Sequence, residues 1–103
     1  MKTLDINAKE WFDKVNGNSY FSGTITIDYG MVSEKNYSMP FQYGYGDHYK
    51  DMAMQKLIAE KEIDIKRHDN GTYQTLWSYC KEKNIILRTN KQEGCLKREL
   101  AKA

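Results

Sequence analysis

The adjacent pairs Asp47-His48 and His68-Asp69 are the residues of this 103-residue chain whose types come nearest to general acid–base chemistry. That chemistry needs an imidazole in a pocket beside the reacting group, and adjacency does not supply it, because neighbours along an element point in different directions. Asp47 also stands where a helix N-cap is expected. No catalytic residue is therefore assigned, and no enzyme is expected. Cys80 and Cys95 lack the C-x2-C spacing of a metal site, and no His/Cys/Asp cluster has ligand spacing. Neither a metal nor a cofactor is expected. Met1-Lys2-Thr3-Leu4-Asp5 lacks the apolar stretch of a secretion signal, so two free thiols are expected rather than a disulfide.

Gly44-x-Gly46 precedes a predicted helix as a phosphate-cradling loop would, but Asp47 at its mouth would repel phosphate. An RNA-stacking strand wants Lys or Arg before the first glycine and an aromatic-Val continuation after it. Tyr43-Gly44-Tyr45-Gly46-Asp47 departs from that pattern at both ends. The tyrosines themselves are more informative. Eight Tyr occur with three Phe and two Trp, and most fall between Tyr20 and Tyr49. A two-stranded ribbon cannot bury them all, so Tyr20, Tyr37, Tyr43, Tyr45 and Tyr49 are candidate anchors for a protein partner. Tyr20 leads, because it lies on the polar side of its strand. The second candidate surface is basic. Arg88, Lys91, Lys97, Arg98 and Lys102 crowd the C-terminal end and suit RNA, DNA or an acidic protein face. Interleaved Glu82, Glu93 and Glu99 make a plain solvated helix face the competing explanation.

These residues need elements to hold them. Asp5 or Asn7 is expected to cap a helix over Ala8–Val15, which Asn16-Gly17-Asn18 stops. Phe21, Gly23, Ile25, Ile27 and Tyr29 then alternate with Tyr20, Ser22, Thr24, Thr26 and Asp28, the pattern of a strand with one buried side. Tyr37, Met39, Phe41, Tyr43 and Tyr45 alternate again after a polar loop over 30–35, which completes a hairpin. Pro40 cannot donate to a ladder and marks that strand as an edge or as bulged there. A helix is expected from Gly46-Asp47 to about Lys61, and Ile63 and Ile65 lie in a short strand or extended connector. A second helix, capped at Thr72 and ended by Asn84, carries Tyr73, Leu76, Trp77 and Cys80. Ile85-Ile86-Leu87 is expected as a third strand, and Gln92–Ala101 as a thin last helix. The fold class is α+β: a small antiparallel sheet built on the hairpin at about 19–45, with three to four helices packed on one face. Residues 1–103 form a single domain.

Composition supports a folded chain. The net charge is only +2 and aromatics make up 13% of residues, so aromatics are expected to make much of the core. No apolar run approaches the roughly 18 residues of a membrane span, and a cytoplasmic protein without a membrane partner is expected.

Asn16-Gly17-Asn18-Ser19-Tyr20-Phe21, followed by Pro40-Phe41-Gln42-Tyr43-Gly44-Tyr45-Gly46-Asp47, resembles small proteins of phages and mobile elements. The likeness covers roughly residues 8–60. It carries over no catalytic residues, because members have no established activity. It implies an inhibitor that binds a host nucleoprotein, an anti-CRISPR protein directed at an RNA-targeting type VI effector in the host cytoplasm. The alternative is a phage accessory protein that binds RNA or DNA directly through its basic C-terminal region.

Overall fold

The computed structural model describes residues 1–66 and 69–100. In chain order the elements are Thr3–Asp13 (β1), Asn18–Ile27 (β2), Lys35–Tyr43 (β3), His48–Ala59 (α1), Leu76–Glu82 (α2), Ile86–Gln92 (β4) and Lys97–Leu100 (α3). The strands form one sheet in the order β3-β2-β1-β4. β2 runs antiparallel to β1 and β3, whereas β4 runs parallel to β1. The α+β class and the central hairpin stand; the expected all-antiparallel sheet is corrected to a mixed one. Parallel neighbours need a long crossover, and everything from β2 to α2 lies between β1 and β4.

The N-terminal helix expected over Ala8–Val15 is instead the second half of β1 and a hairpin turn. Leu4, Ile6 and Ala8 alternate with Asp5, Asn7 and Lys9, and this period of two prevails over the helical spacing of Trp11, Phe12 and Val15. The register Leu4↔Ile27, Ile6↔Ile25 and Ala8↔Gly23 sets these residues on one face, called inner below. Asn16-Gly17-Asn18 turns the chain back rather than ending a helix. Asp13 Oδ1 accepts from the Val15 and Asn16 N–H groups, and Gly17 takes φ 70°. Gly23 is the residue this pairing demands, since a Cβ there would run into the Asn7 carbonyl and approach Met39 Cε to 2.9 Å.

α1 and α2 cover the inner face. Tyr49, Ala53 and Leu57 of α1 and Leu76 and Cys80 of α2 are buried against Leu4, Ile6, Phe21, Ile25 and Met39. Among the buried hydrophobic residues that the structure describes, only Phe21 and Tyr49 are aromatic, so the expectation of an aromatic core is overturned. Aliphatic side chains fill it, and most aromatics lie outside. α2 starts later than expected. Thr72 is held by Asn70 Oδ1, and Thr75 is the N-cap, its Oγ1 accepting from the Ser78 N–H. Of the predicted stripe, Leu76 and Cys80 are buried, while Tyr73 and Trp77 are exposed. Both helices end alike. Lys61 (φ 59°) and Asn84 (φ 58°) adopt the left-handed conformation, and the following N–H groups return to the Leu57 and Cys80 carbonyls. Asn84 thus ends α2 as expected, and Ile63 sits buried in an extended connector.

α3 is a single turn and lies on the opposite, outer face. Ser22, on that face by register, donates its hydroxyl to the Leu100 carbonyl, and Leu100 is buried there apart from the main core. The helices therefore do not share one face, as the sequence reading had them. Apart from this turn, the smallest extent of the molecule, 19 Å, leaves room for one sheet and one helix layer. Cys80 and Cys95 are both free and buried, and burial pushes the Cys80 thiol up. Among the described residues no helix is long and apolar enough to cross a membrane.

Asp28 ties the two ends of the β1–β2 pair together. Its Oδ1 accepts from the Lys2 N–H at 2.6 Å and the Thr3 N–H at 3.1 Å, and its Oδ2 accepts from Ser33 Oγ at 2.8 Å. These bonds, the Lys2 one foremost, hold its carboxyl down to about 2 from an ordinary 3.8. The folded state thus prefers the ionised form, and this contribution to stability is whole above the ordinary value and disappears as pH falls towards the lowered one. Asp28→Asn is expected to lower the melting temperature at neutral pH. Its melting temperature should also decline less steeply than the wild type's between about pH 4 and about pH 2. Circular-dichroism melts across that range measure both effects, and parallel declines would refute the assignment.

Candidate binding face

The outer face carries the odd-numbered side chains of β1 and the even-numbered ones of β2, and its composition changes along the strands. Midway along it Asn7, Lys9, Thr24, Asn90 and Gln92 border a shallow hollow. At one end the rings collect. Trp11 and Tyr20 are register partners and stack at 5.6 Å between centroids, and Tyr20 stacks on Phe41 at 5.1 Å with planes 9° apart. Trp11 and Phe41 lie 6.4 Å apart, and Tyr43 meets Tyr20 edge-on at 5.9 Å. Lys97 of α3 places its ammonium 5.3 Å from the centre of the Trp11 ring.

A bulge builds this cluster. Phe21 faces Gln42 and Gly23 faces Met39, so Ser22 of β2 is opposed by two residues of β3, Pro40 and Phe41. Pro40 has no N–H to lose from the ladder, and β3 is an edge strand, so both expectations for Pro40 hold. The extra residue reverses the alternation. Tyr37 and Met39 stay on the inner side, while Phe41 and Tyr43 swing out to join Tyr20.

The predicted anchors therefore separate. Tyr20 is half-buried within the cluster, and Tyr43 and Tyr45 are 59% and 72% exposed. Tyr37 is packed against the core with Lys56 over its ring, and burial together with Glu62 pushes its hydroxyl up. Tyr49 is 5% exposed and belongs to the core, so its proposed role as a surface anchor is corrected. The sequence reading missed Trp11 and Phe41. A tryptophan in register with the polar residues of β1 was the available signal for the first. The phase change at Pro40 was the signal for the second.

The predicted basic surface does not assemble. Arg88 forks onto Asp5 at 2.6 and 2.9 Å, a carboxylate that raises the guanidinium further, on the outer face. Lys91 points the other way, nearly buried between Glu10, Glu93 and the Gly46 carbonyl. Lys97 lies over Trp11, and Arg98 is exposed without an ion pair among the described residues. Lys102 and His68 lie outside the described residues.

The remaining motifs are structural here. Asp47 occupies the N-cap position of α1 without a capping hydrogen bond and sits 3.4 Å from Lys50 instead. His48 lays its ring edge-on to Phe21, with no hydrogen bond to Asp47. The Gly44 N–H donates to the Ser19 carbonyl, so it is not offered to a phosphate. Among the described residues no group of three or more His, Cys, Asp or Glu could hold a metal. In comparisons with known proteins the chain matches no family model, no curated protein and no solved structure.

The division of the tyrosines has a measurable consequence. Tyr45→Ala is expected to leave unfolding free energy within about 0.5 kcal/mol of wild type, as exposed positions do, and Tyr43→Ala, which also loses its edge contact with Tyr20, is expected to cost about 1 kcal/mol. Tyr49→Ala is expected to cost about 3 kcal/mol. Urea denaturation of the three variants checks the contrast, and a small effect at Tyr49 would contradict its place in the core.

Proposed function

We propose that this protein acts by binding rather than by catalysis, docking the aromatic end of its outer face on a partner protein. In the fuller reading, it is a phage- or mobile-element-borne inhibitor, and the partner is a host nucleoprotein of the RNA-guided CRISPR effector class. The resemblance over residues 8–60 supplies the nature of the host target; the surface chemistry supplies the mode of binding.

The observation that carries the binding mode is the mutual packing of Trp11, Tyr20 and Phe41 beside exposed Tyr43. A nucleobase platform needs ring faces turned up and open. Here Trp11, Tyr20 and Phe41 pack against one another and Trp11 against the Lys97 ammonium, while Tyr43 meets Tyr20 edge-on and stays 59% exposed. Rigid aromatic edges with polar tips are the usual centre of a protein–protein contact. The charges argue the same way. Phosphate binding draws its strength from several cations free to replace counterions. Arg88 and Lys91 are already held by carboxylates of this chain.

The test is titration of a purified, guide-loaded RNA-targeting effector with the wild-type protein and with Trp11→Ala and Tyr43→Ala, each confirmed folded by circular dichroism. Binding is expected to survive nuclease treatment and to inhibit target cleavage. Loss of one anchor should weaken it by about thirtyfold, the 2 kcal/mol typical of a hot spot. Binding that disappears with nuclease would transfer the function to nucleic acid, and undiminished binding by both variants would exclude this face.

A further inference from the structure

On the inner side, a cleft of about 390 Å³ opens between α1, the chain leading into α2, and β4. We infer that it is a binding site for the guanidinium group of an arginine side chain on a partner protein. The site is separate from the outer face, and the inference does not rest on the function proposed for that face.

Gln74 is the first reason. This residue lines the cleft and is 5% exposed. Glu82, whose carboxylate only accepts, fixes the amide by taking the Nε2 hydrogen at 2.8 Å. That leaves Oε1 as a buried acceptor with no partner among the described residues. An unmet buried acceptor is costly, and the cost is recovered by a ligand that brings an N–H donor.

Charge is the second reason. Asp47 and Asp51 lie one turn apart on the rim, and Lys50 is drawn to Asp47 at 3.4 Å. Asp51 has no ion pair among the described residues. The rim thus retains negative charge, which repels phosphate or carboxylate ligands and attracts a cation. Shape is the third. Met54, Leu76 and Leu87 form an apolar floor, and the 65%-exposed Trp77 stands at the mouth. Lys81, which does not line the cleft, already lies 5.1 Å from the Trp77 ring centre, so the ring attracts cations. A flat group with five donors can stack on an aromatic ring, donate to an amide oxygen and pair with a carboxylate at once. An ammonium lacks the plane, and a neutral urea lacks the charge.

The experiment follows amide resonances of the whole isotope-labelled protein during titration with the peptide Gly-Gly-Arg-Gly-Gly and its citrulline and lysine counterparts. Saturable shifts are expected at Gln74, Trp77 and Thr89 with the arginine peptide. The citrulline and lysine peptides should bind at least about tenfold more weakly, the loss expected when one charge-assisted bond is removed. Asp51→Asn and Trp77→Ala, both at exposed positions, should each weaken arginine binding by about tenfold while the remaining spectrum is preserved. Absence of shifts in the cleft, equal binding of the citrulline or lysine peptide, or unchanged binding by both variants would overturn the assignment.

Discussion

One residue of β2 faces two of β3 at Ser22, and the placement of every ring beyond that point depends on this mismatch. A strand presents alternate side chains to alternate faces, so an added residue exchanges the faces of everything after it. Without the bulge Tyr43 would follow Tyr37 and Met39 to the inner side, where α1 already fills the space above Phe21. With it, Gln42 takes the place opposite Phe21, and Phe41 and Tyr43 pass to the outer face. Pro40 makes the arrangement tolerable. It sits on an edge strand, needs no ladder partner for its nitrogen, and adjoins the register shift. The same local accident of pairing thus keeps the core aliphatic and makes the outer surface aromatic.

β1 serves both faces and explains where the charges went. It is the one strand with hydrogen-bonded neighbours on both sides that differ in direction. Its parallel pairing with β4 sets Asp5 beside Arg88 on the outer face and Glu10 near Lys91 on the inner face. A run of basic residues that looks continuous along the chain is thereby divided between opposite sides, and two of its members are neutralised by acids from the other end of the sequence. Surface ion pairs contribute little to stability. Their consequence here is electrostatic, since they remove the continuous cationic field that nucleic-acid binding requires.

What could be read from the residues, and what could not, follows from the range of the interactions. The β2–β3 hairpin, α1, the Asn84 stop and the Pro40 edge were legible because each depends on neighbours within a few residues. The first strand was misread because Trp11, Phe12 and Val15 imitate a helical stripe, while Leu4, Ile6 and Ala8 reveal their period only over the longer segment. α3 is the remnant of the helix expected over Gln92–Ala101, reduced to one turn, and its place on the outer face had no local signature, since it is anchored by Ser22, 78 positions away from Leu100. The face on which Tyr20 lies was legible for a local reason, its place among the polar residues of β2. Trp11 joins it only through cross-strand register, and Gln74 becomes unusual only once burial removes water from its oxygen.

The two faces illustrate different ways in which a small domain can retain polar and aromatic groups outside its main core. On the outer face, rings that could have been buried are kept at the surface but packed against one another, so they are ordered before any partner arrives. Ordering side chains in advance lowers the entropy lost on association, which favours tight contact over a modest area. In the inner cleft the reverse holds. The amide of Gln74 is fixed by Glu82, yet its oxygen has no donor among the described residues, and the arginine proposed for the cleft would supply one. A preorganised aromatic patch would select by shape, whereas an acceptor and a carboxylate that are both unpaired among the described residues would select by donor pattern and charge. Placed on opposite sides of a slab 19 Å thick, the two cannot readily address the same small molecule. They could address one large partner only if it wrapped around an edge of the sheet, and otherwise they imply two independent contacts.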